Sequence, residues 1–164
     1  MGRVRLAAYT MLTMSAFAAN SLLCRLALKT TTIDPASFTA VRIFSGALML
    51  GLVAGWRFAS SGTHSSWRGG FALFVYVAAF SFSYLTLSAG TGALLLFGSV
   101  QITMLLAGWI AGERMGKLQS IGFIAALIGV VILMLPGVEA PALSGSALMI
   151  VSGIAWGAYS LLGR

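Results

Sequence analysis

Charged and chemically reactive side chains are scarce in this sequence. Of its 164 residues only 8% are charged, with three acids, one histidine and one cysteine. The single cysteine, Cys24, excludes an internal disulfide and a cysteine-based metal site. No histidine or buried acid is placed to activate a serine, and no metal-ligand spacing occurs. We therefore expect neither an enzyme nor a protein with a metal or cofactor.

Apolar residues make up 59% of the chain, and the mean hydropathy is +0.99. Soluble domains carry about a quarter charged residues. The apolar residues also form runs of roughly 20, which is long enough to cross a bilayer. We predict a multi-pass integral protein of the bacterial inner membrane. The formal charge of +7 comes from basic residues in the joints between these runs, so the expected partner is lipid and not nucleic acid.

Turn-forming residues divide the chain into six segments, which predicts an all-α bundle of six transmembrane helices. Pro35 marks the first break, because proline is tolerated only in a first helical turn. A serine- and glycine-rich loop follows, in which His64 is interpreted as a solvated residue. Thr91 is available as a helix N-cap, and Pro136 ends a later helix. The predicted helices are 6–28, 36–56, 70–87, 92–111, 118–135 and 144–162.

The distribution of basic residues predicts a cytoplasmic N-terminus, because cytoplasmic loops carry an excess of lysine and arginine. This orientation places Trp56, Trp67 and Trp109 near the cytoplasmic interface, which amphipathic rings prefer. It puts Arg25, Lys29, Asp34, Arg42 and Glu139 toward the outer side. The cytoplasmic basic residues are then Arg3, Arg5, Arg57, Arg68, Arg114, Lys117 and Arg164.

An internal repeat links the two ends of the chain. Segment 8–25 aligns without gaps on segment 147–164, with an offset of 164 − 25 = 139 residues and seven identities in eighteen positions. Phe17 falls on Trp156, and Asn20 on Tyr159. We therefore divide the chain into a first five-helix repeat, 1–143, and the first helix of a second, truncated repeat, 144–164. The chain is interpreted as the front part of a longer protein or a truncated product.

A repeat of five helices must be inverted, since its first helix enters the membrane from the opposite side each time. Inverted repeats are typical of secondary transporters. A cleavable signal peptide ending near Ala18 is the competing interpretation of the N-terminus. The repeat at 147–164 argues against it, because a removable leader need not be duplicated within the mature chain.

Small residues four apart predict close helix packing in three places. The pairs are Gly51 and Gly55, Gly108 and Gly112, and Gly153 and Gly157.

Polar and aromatic groups at membrane depth are the candidates for a substrate path along helices one, three, four and six. Such groups usually face the bundle interior or a cavity, so each has helix packing as its alternative role. Arg25 and Arg42, toward the outer side, either snorkel to the interface or attract an anionic group at the entrance. The path candidates are Asn20, Tyr76, Tyr84, Gln101, Trp156 and Tyr159.

Several short motifs, in this order, resemble the EamA-type domain of the drug/metabolite transporter superfamily. They are SFTAVR at 37–42, GER at 112–114, QSIG at 119–122, GVVI at 129–132 and AWGAYS at 155–160. The resemblance covers essentially the whole chain. It implies ten helices in two inverted five-helix repeats, with both termini cytoplasmic.

The resemblance also implies export or exchange of small metabolites, such as amino acids or related compounds, through a cavity between the halves. Since this chain stops after the sixth helix, its expected partners include the missing C-terminal half or a second chain. The alternative is a non-transporting membrane fragment or accessory subunit that packs against partner helices.

Overall fold

A computed structural model describes residues 2–54, 66–113, 116–134 and 141–163. These ranges contain six α-helices and no strand, which confirms the predicted all-α class. The helices are α1 (Arg3–Thr30), α2 (Pro35–Ala54), α3 (Trp67–Ser83), α4 (Ala89–Ile110), α5 (Lys117–Met134) and α6 (Leu143–Leu162). Several residues used in the predictions lie outside the described ranges, namely Gly55, Trp56, Arg57, His64, Arg114, Pro136, Glu139 and Arg164.

Side-chain caps mark the starts of α2 and α4. Before α2, the Oδ1 atom of Asp34 accepts the backbone N–H groups of Ala36 at 3.0 Å and Ser37 at 2.9 Å. Before α4, Ser88 Oγ accepts the N–H of Thr91 at 3.1 Å. The prediction of Thr91 as the N-cap is therefore wrong, because Ser88 is extended and caps the helix three residues earlier.

The end of α3 also differs from its predicted position. The helix stops at Ser83 and not at Leu87, because the chain turns there. In this turn the backbone N–H groups of Thr86 and Leu87 both donate to Ser83 O, at 3.1 and 3.0 Å. Tyr84 and Leu87 are buried within the turn, so an apolar run that reads as helix is used for packing instead.

Four of the helices are long and apolar enough to cross a membrane: Val4–Thr30, Pro35–Val53, Ala89–Ile110 and Leu143–Leu162. Helix α3 has 17 residues, which at 1.5 Å per residue is about 26 Å, below the roughly 30 Å of a hydrocarbon core. The described part of the chain thus supports four spans by length and composition.

The outer surface of the helices is more apolar than the surface of a soluble protein. Trp109 is 71% exposed, Ile110 82% and Leu118 84%. Soluble monomers rarely expose contiguous apolar patches of more than a few hundred Å². Together with the four long apolar helices, this surface indicates an integral membrane protein.

Helix α6 is packed against α3 and α4, and the contact depends on its glycines. A Cβ atom on Gly153 would lie 2.5 Å from Ser99 Cβ and 2.7 Å from the backbone oxygen of Leu96. One on Gly157 would lie 2.8 Å from Thr103 Cγ2. The predicted close packing at this glycine pair is confirmed, since no larger residue fits without movement.

The described members of the other two glycine pairs do not mediate helix packing. Gly51 has open space around it, because a Cβ atom added there would have no neighbouring atom within 4 Å. Gly112 has φ +85°, and it follows Ala111 at the C-terminal end of α4, where a left-handed residue terminates a helix. Gly108 faces the side chain of Glu113 in that same turn. The packing prediction is therefore wrong for Gly108 and Gly112.

The core lies where α1, α3, α4 and α6 meet. Its fully enclosed residues include Phe80, Tyr84 and Met149, each with no exposed surface. Ser152 of α6 is also fully buried, and its hydroxyl donates to the backbone oxygen of Tyr76 in α3 at 3.0 Å. This hydrogen bond joins two helices inside an apolar interior and fixes their register.

Candidate functional site

Polar side chains from three helices meet at the guanidinium group of Arg42. In this cluster Nη2 of Arg42, in α2, donates to Oδ1 of Asn20 in α1 at 3.1 Å. The Nη1 atom donates to the hydroxyl of Ser81 in α3 at 3.4 Å. Ser81 in turn donates to the backbone oxygen of Val77 at 2.9 Å. The arginine therefore connects α1 and α3 through neutral acceptors.

Aromatic rings line the same guanidinium group. Its Cζ atom lies 4.9 Å from the ring centroid of Phe80 and 5.7 Å from that of Phe38. Phe80 has no exposed surface, so this side of the cation is shielded from solvent. Cation–π contacts of this kind are strongest where water is excluded. Arg42 itself is half-buried.

Further residues near the cluster come from α1, where side chains four residues apart lie above one another. Asn20 and Cys24 are four residues apart, as are Ser21 and Arg25. Cys24 is 2% exposed and Ser21 5% exposed. The Nη1 atom of Arg25 is fully buried and has no hydrogen-bond partner among the described residues. A second cationic side chain therefore follows directly after Cys24 on α1, near Tyr84.

Neither arginine has an acidic partner in the part of the chain that the structure describes. Asp34 is used as the cap of α2, where hydrogen bonds from Ser37 and Ala36 lower the pKa of its carboxyl group. Glu113 lies at the far end of α4, against Gly108. Within the described residues, the groups that face these positive charges are therefore neutral dipoles and aromatic rings.

A second group of rings adjoins the arginine cluster through Tyr76. The Tyr76 ring lies 5.7 Å from Phe80 and 5.2 Å from Trp156 of α6, between centroids. Trp156 also contacts Phe17 of α1 at 5.3 Å and Phe97 of α4 at 5.8 Å. All four helices of the predicted path thus contribute a ring to one aromatic wall.

The predicted path residues separate into three locations. Asn20, Tyr76 and Trp156 lie together around the arginine cluster and the aromatic wall. Tyr84 lies in the closed core, where its hydroxyl donates to the backbone oxygen of Ala89 at 3.4 Å and its ring meets Phe80 edge-on at 4.8 Å.

Gln101 and Tyr159 lie elsewhere. Gln101 is exposed and lines an apolar cleft of about 420 Å³ between α4 and α5, beside Phe97 and Phe123. Tyr159 borders a more polar cleft of about 440 Å³, together with Ser66 and Gly69 at the start of α3.

The match to a family model decides the family. The model described as the EamA-like transporter family covers residues 5–135. The chain belongs to the EamA-like transporter family. This confirms the resemblance drawn from the motifs, and it places the arginine cluster and most of the aromatic wall inside the matched region.

A relative of similar sequence is an uncharacterized protein of Pseudomonas aeruginosa, 58% identical over 156 residues. The match covers 94% of this chain and 54% of the relative, so the chain spans about half the length of the curated relative it matches. No solved structure matches the chain.

Sequence reasoning missed several residues of the site, among them Phe17, Ser81 and Phe97. Phe17 carried a signal, because the repeat aligns it with Trp156. Ser81 carried no distinguishing signal, because which face of α3 meets α2 is decided by tertiary packing. Phe97 had no signal that distinguishes it from a lipid-facing residue.

Proposed function

We propose that this EamA-family chain is the N-terminal part of a secondary transporter that exports or exchanges small metabolites, such as amino acids or related compounds. In this proposal ten helices form two inverted repeats in the bacterial inner membrane, and this chain contributes the first six. The second half comes from the rest of a longer protein or from a second chain.

The contact between Phe17 and Trp156 is the observation that carries this proposal. These residues are related by the repeat, since 156 − 17 = 139, and their ring centroids are 5.3 Å apart. Residues related by two-fold symmetry contact each other only near the symmetry axis. A pseudo-two-fold axis between the two repeats would therefore pass close to this pair, in the middle of the aromatic wall.

Helices α6 and α1, which the repeat relates, differ in exposure at equivalent positions. The buried face of α6 includes Gly145, Met149, Gly153 and Gly157, which contact α3 and α4. The positions 139 residues earlier are Leu6, Thr10, Met14 and Ala18, and all four are exposed. Under the proposed symmetry, the third and fourth helices of the second repeat cover this face of α1, just as α3 and α4 cover α6.

The length of the relative supports the same arrangement, because a protein about twice as long has room for a second repeat. The proposed topology has a cytoplasmic N-terminus and six crossings within this chain. The basic residues at Arg5, Arg68 and Lys117 then fall on the cytoplasmic side, as the positive-inside rule requires.

The proposed path runs beside the aromatic wall. We assign substrate contact to Asn20, Tyr76 and Trp156, which lie together, with Arg42 and Arg25 at the outer side. Tyr84, with its satisfied hydroxyl, supports the wall from within the core. Gln101 and Tyr159 would reach the path only through surfaces completed by the second half.

A substrate-panel export assay on the full-length gene tests this function. Trp156→Leu is expected to reduce export of the transported compound by at least tenfold while membrane insertion stays normal. Leu118→Ala is the control, because Leu118 is 84% exposed on a different helix. Normal export by Trp156→Leu would contradict the proposed path.

The same assay addresses the alternative of an accessory subunit. If no compound in the panel changes its cellular accumulation when the intact gene is expressed, the transporter proposal fails and the packing role is favoured. Sequencing downstream of residue 164 then shows whether further apolar segments follow in the same reading frame.

A further inference from the structure

We propose that the arginine cluster binds an oxyanion head group, a carboxylate or a phosphate monoester, on the solute that this carrier moves. The inference rests on the proposed transport function and adds the chemical class of its substrate. The cluster consists of Arg42 and Arg25 with Asn20, Ser81 and the ring of Phe80.

The head group of Arg42 is directed into the bundle and not toward the membrane surface. Its two terminal nitrogens donate to Asn20 on α1 and Ser81 on α3, and its Cζ lies 4.9 Å from the enclosed ring of Phe80. A snorkelling arginine would extend away from such contacts to reach water. This geometry therefore favours a binding role over interfacial anchoring.

The described hydrogen-bond partners of Arg42 are neutral. A guanidinium carries five N–H donors in a planar fork that matches the two oxygens of a carboxylate or phosphate. Its two hydrogen bonds within the described residues both go to neutral acceptors, and one of them is long at 3.4 Å. The side chains of Tyr76 and Cys24, which are also neutral, lie within its reach. An anionic acceptor would form shorter and stronger bonds with this fork than these neutral groups do.

Arg25 provides the independent observation. Its Nη1 atom is completely buried without a hydrogen-bond partner in the described part of the chain. Buried polar groups in proteins are paired in the great majority of cases, and an unpaired buried cation is costly. Two cationic side chains at one end of a bundle, with no carboxylate beside them among the described residues, are an arrangement that a bound anion would neutralise.

The surroundings of the cluster indicate what is attached to the head group. Phe80 leads to Tyr76 and then to Trp156, with centroid separations of 5.7 and 5.2 Å. A row of aromatic rings suits a solute whose apolar or planar part extends away from its charged head group. The expected solute is therefore an organic acid or phosphate ester with a hydrophobic portion.

A head-group series on the purified full-length protein tests this inference without any mutation. The probes are 3-phenylpropionate, phenyl phosphate, 3-phenylpropanol and 3-phenylpropylamine, which share an aromatic body and differ at the other end. Binding is followed by tryptophan fluorescence and by the shift in thermal unfolding. At least one of the two anions is expected to bind ten times or more tightly than the alcohol, and the amine is expected not to bind.

Comparison of the two anions shows whether the natural head group is a carboxylate or a phosphate, because the probe with the matching group should bind more tightly. Equal binding of the anions and the alcohol, or no binding of either anion, would overturn the inference.

Variants then locate the site. Arg42→Gln is expected to weaken binding of the preferred anion by about ten- to a hundredfold, as for loss of a charged hydrogen bond. Arg42→Lys keeps the charge without the fork and should give an intermediate loss. Arg68→Gln is the matched control, since it removes one exposed positive charge at the opposite end of α3. Unchanged binding in a folded Arg42→Gln protein would overturn the assignment.

Failure of this inference is separable from failure of the proposed function. Transport of neutral or cationic solutes alone, with no anion bound, would leave the carrier standing and remove the oxyanion site. Anion binding without transport of any solute would retain the site and remove the carrier.

Discussion

Replacing Gly153 with alanine adds one methyl group at the closest contact between α6 and α4. The new Cβ would lie 2.5 Å from Ser99 Cβ, 2.7 Å from the Leu96 backbone oxygen and 3.3 Å from the Val100 backbone nitrogen. Two of these three atoms belong to the backbone of α4, so rotation of a side chain cannot relieve the overlap. Helix α6 must move away from α4, and overpacking of this kind costs about 1–3 kcal/mol.

A matched substitution separates this packing effect from helix propensity. Gly51→Ala also places alanine in a helix, but nothing lies within 4 Å of its Cβ position. It should therefore stabilise α2 by about 0.5–1 kcal/mol, which is the usual advantage of alanine over glycine. The expected result is opposite shifts in the unfolding midpoint of the detergent-solubilised protein, downward for Gly153→Ala and upward for Gly51→Ala. Equal shifts in the same direction would refute the packing of α6 on α4.

Three further substitutions test other contacts. Ser152→Ala should lower the free energy of unfolding by about 0.5–1.5 kcal/mol, because the hydrogen bond to Tyr76 O joins two helices. Ser160 is the control, since its hydroxyl bonds within its own helix. Ser160→Ala should therefore lower the melting temperature less in the same assay. Ala18→Leu should lower the melting temperature of the full-length protein if a second repeat covers α1. If lipid covers α1, the melting temperature should not change. Asp34→Ala should remove the cap of α2, and circular dichroism should show the loss. Hydrogen bonds lower the pKa of Asp34 from its ordinary 3.8, so the ionised carboxyl group stabilises the folded protein above that value. This stabilisation disappears as the pH falls through the lower pKa of the folded state. If Asp34→Ala left the pH dependence of stability unchanged, this role of Asp34 would be contradicted.

The helical architecture could be predicted because long apolar runs and their breaks are local properties of the sequence. Asp34 and Pro35 illustrate this, since a capping side chain followed by proline fixes the start of α2 whatever surrounds it. The start of α4 was harder, because Ser88 and Thr91 are both good caps. The difference between them lies in the preceding turn, which depends on the burial of Leu87.

The candidate site was only partly predictable, for a related reason. Asn20, Arg42 and Tyr76 were found because polar groups at membrane depth are costly wherever they occur. Their mutual contacts depend on the rotation of three helices, which no local pattern determines. Gln101 shows the limit of that reasoning, since its polarity made it a path candidate although it faces the cleft beside α5.

Cysteine accessibility in intact cells tests the membrane arrangement of the proposed carrier most directly. In a Cys24→Ser background, single cysteines replace Thr32, Ser88, Ser66, Lys117 and Gly163, all of which are exposed at helix ends. A membrane-impermeant maleimide is expected to label only the cysteines at positions 32 and 88 from outside. The other three should react only after the cells are opened. Labelling of positions 32 and 163 together from outside would give α1 and α6 the same orientation and would contradict the inverted repeat on which the proposed carrier depends.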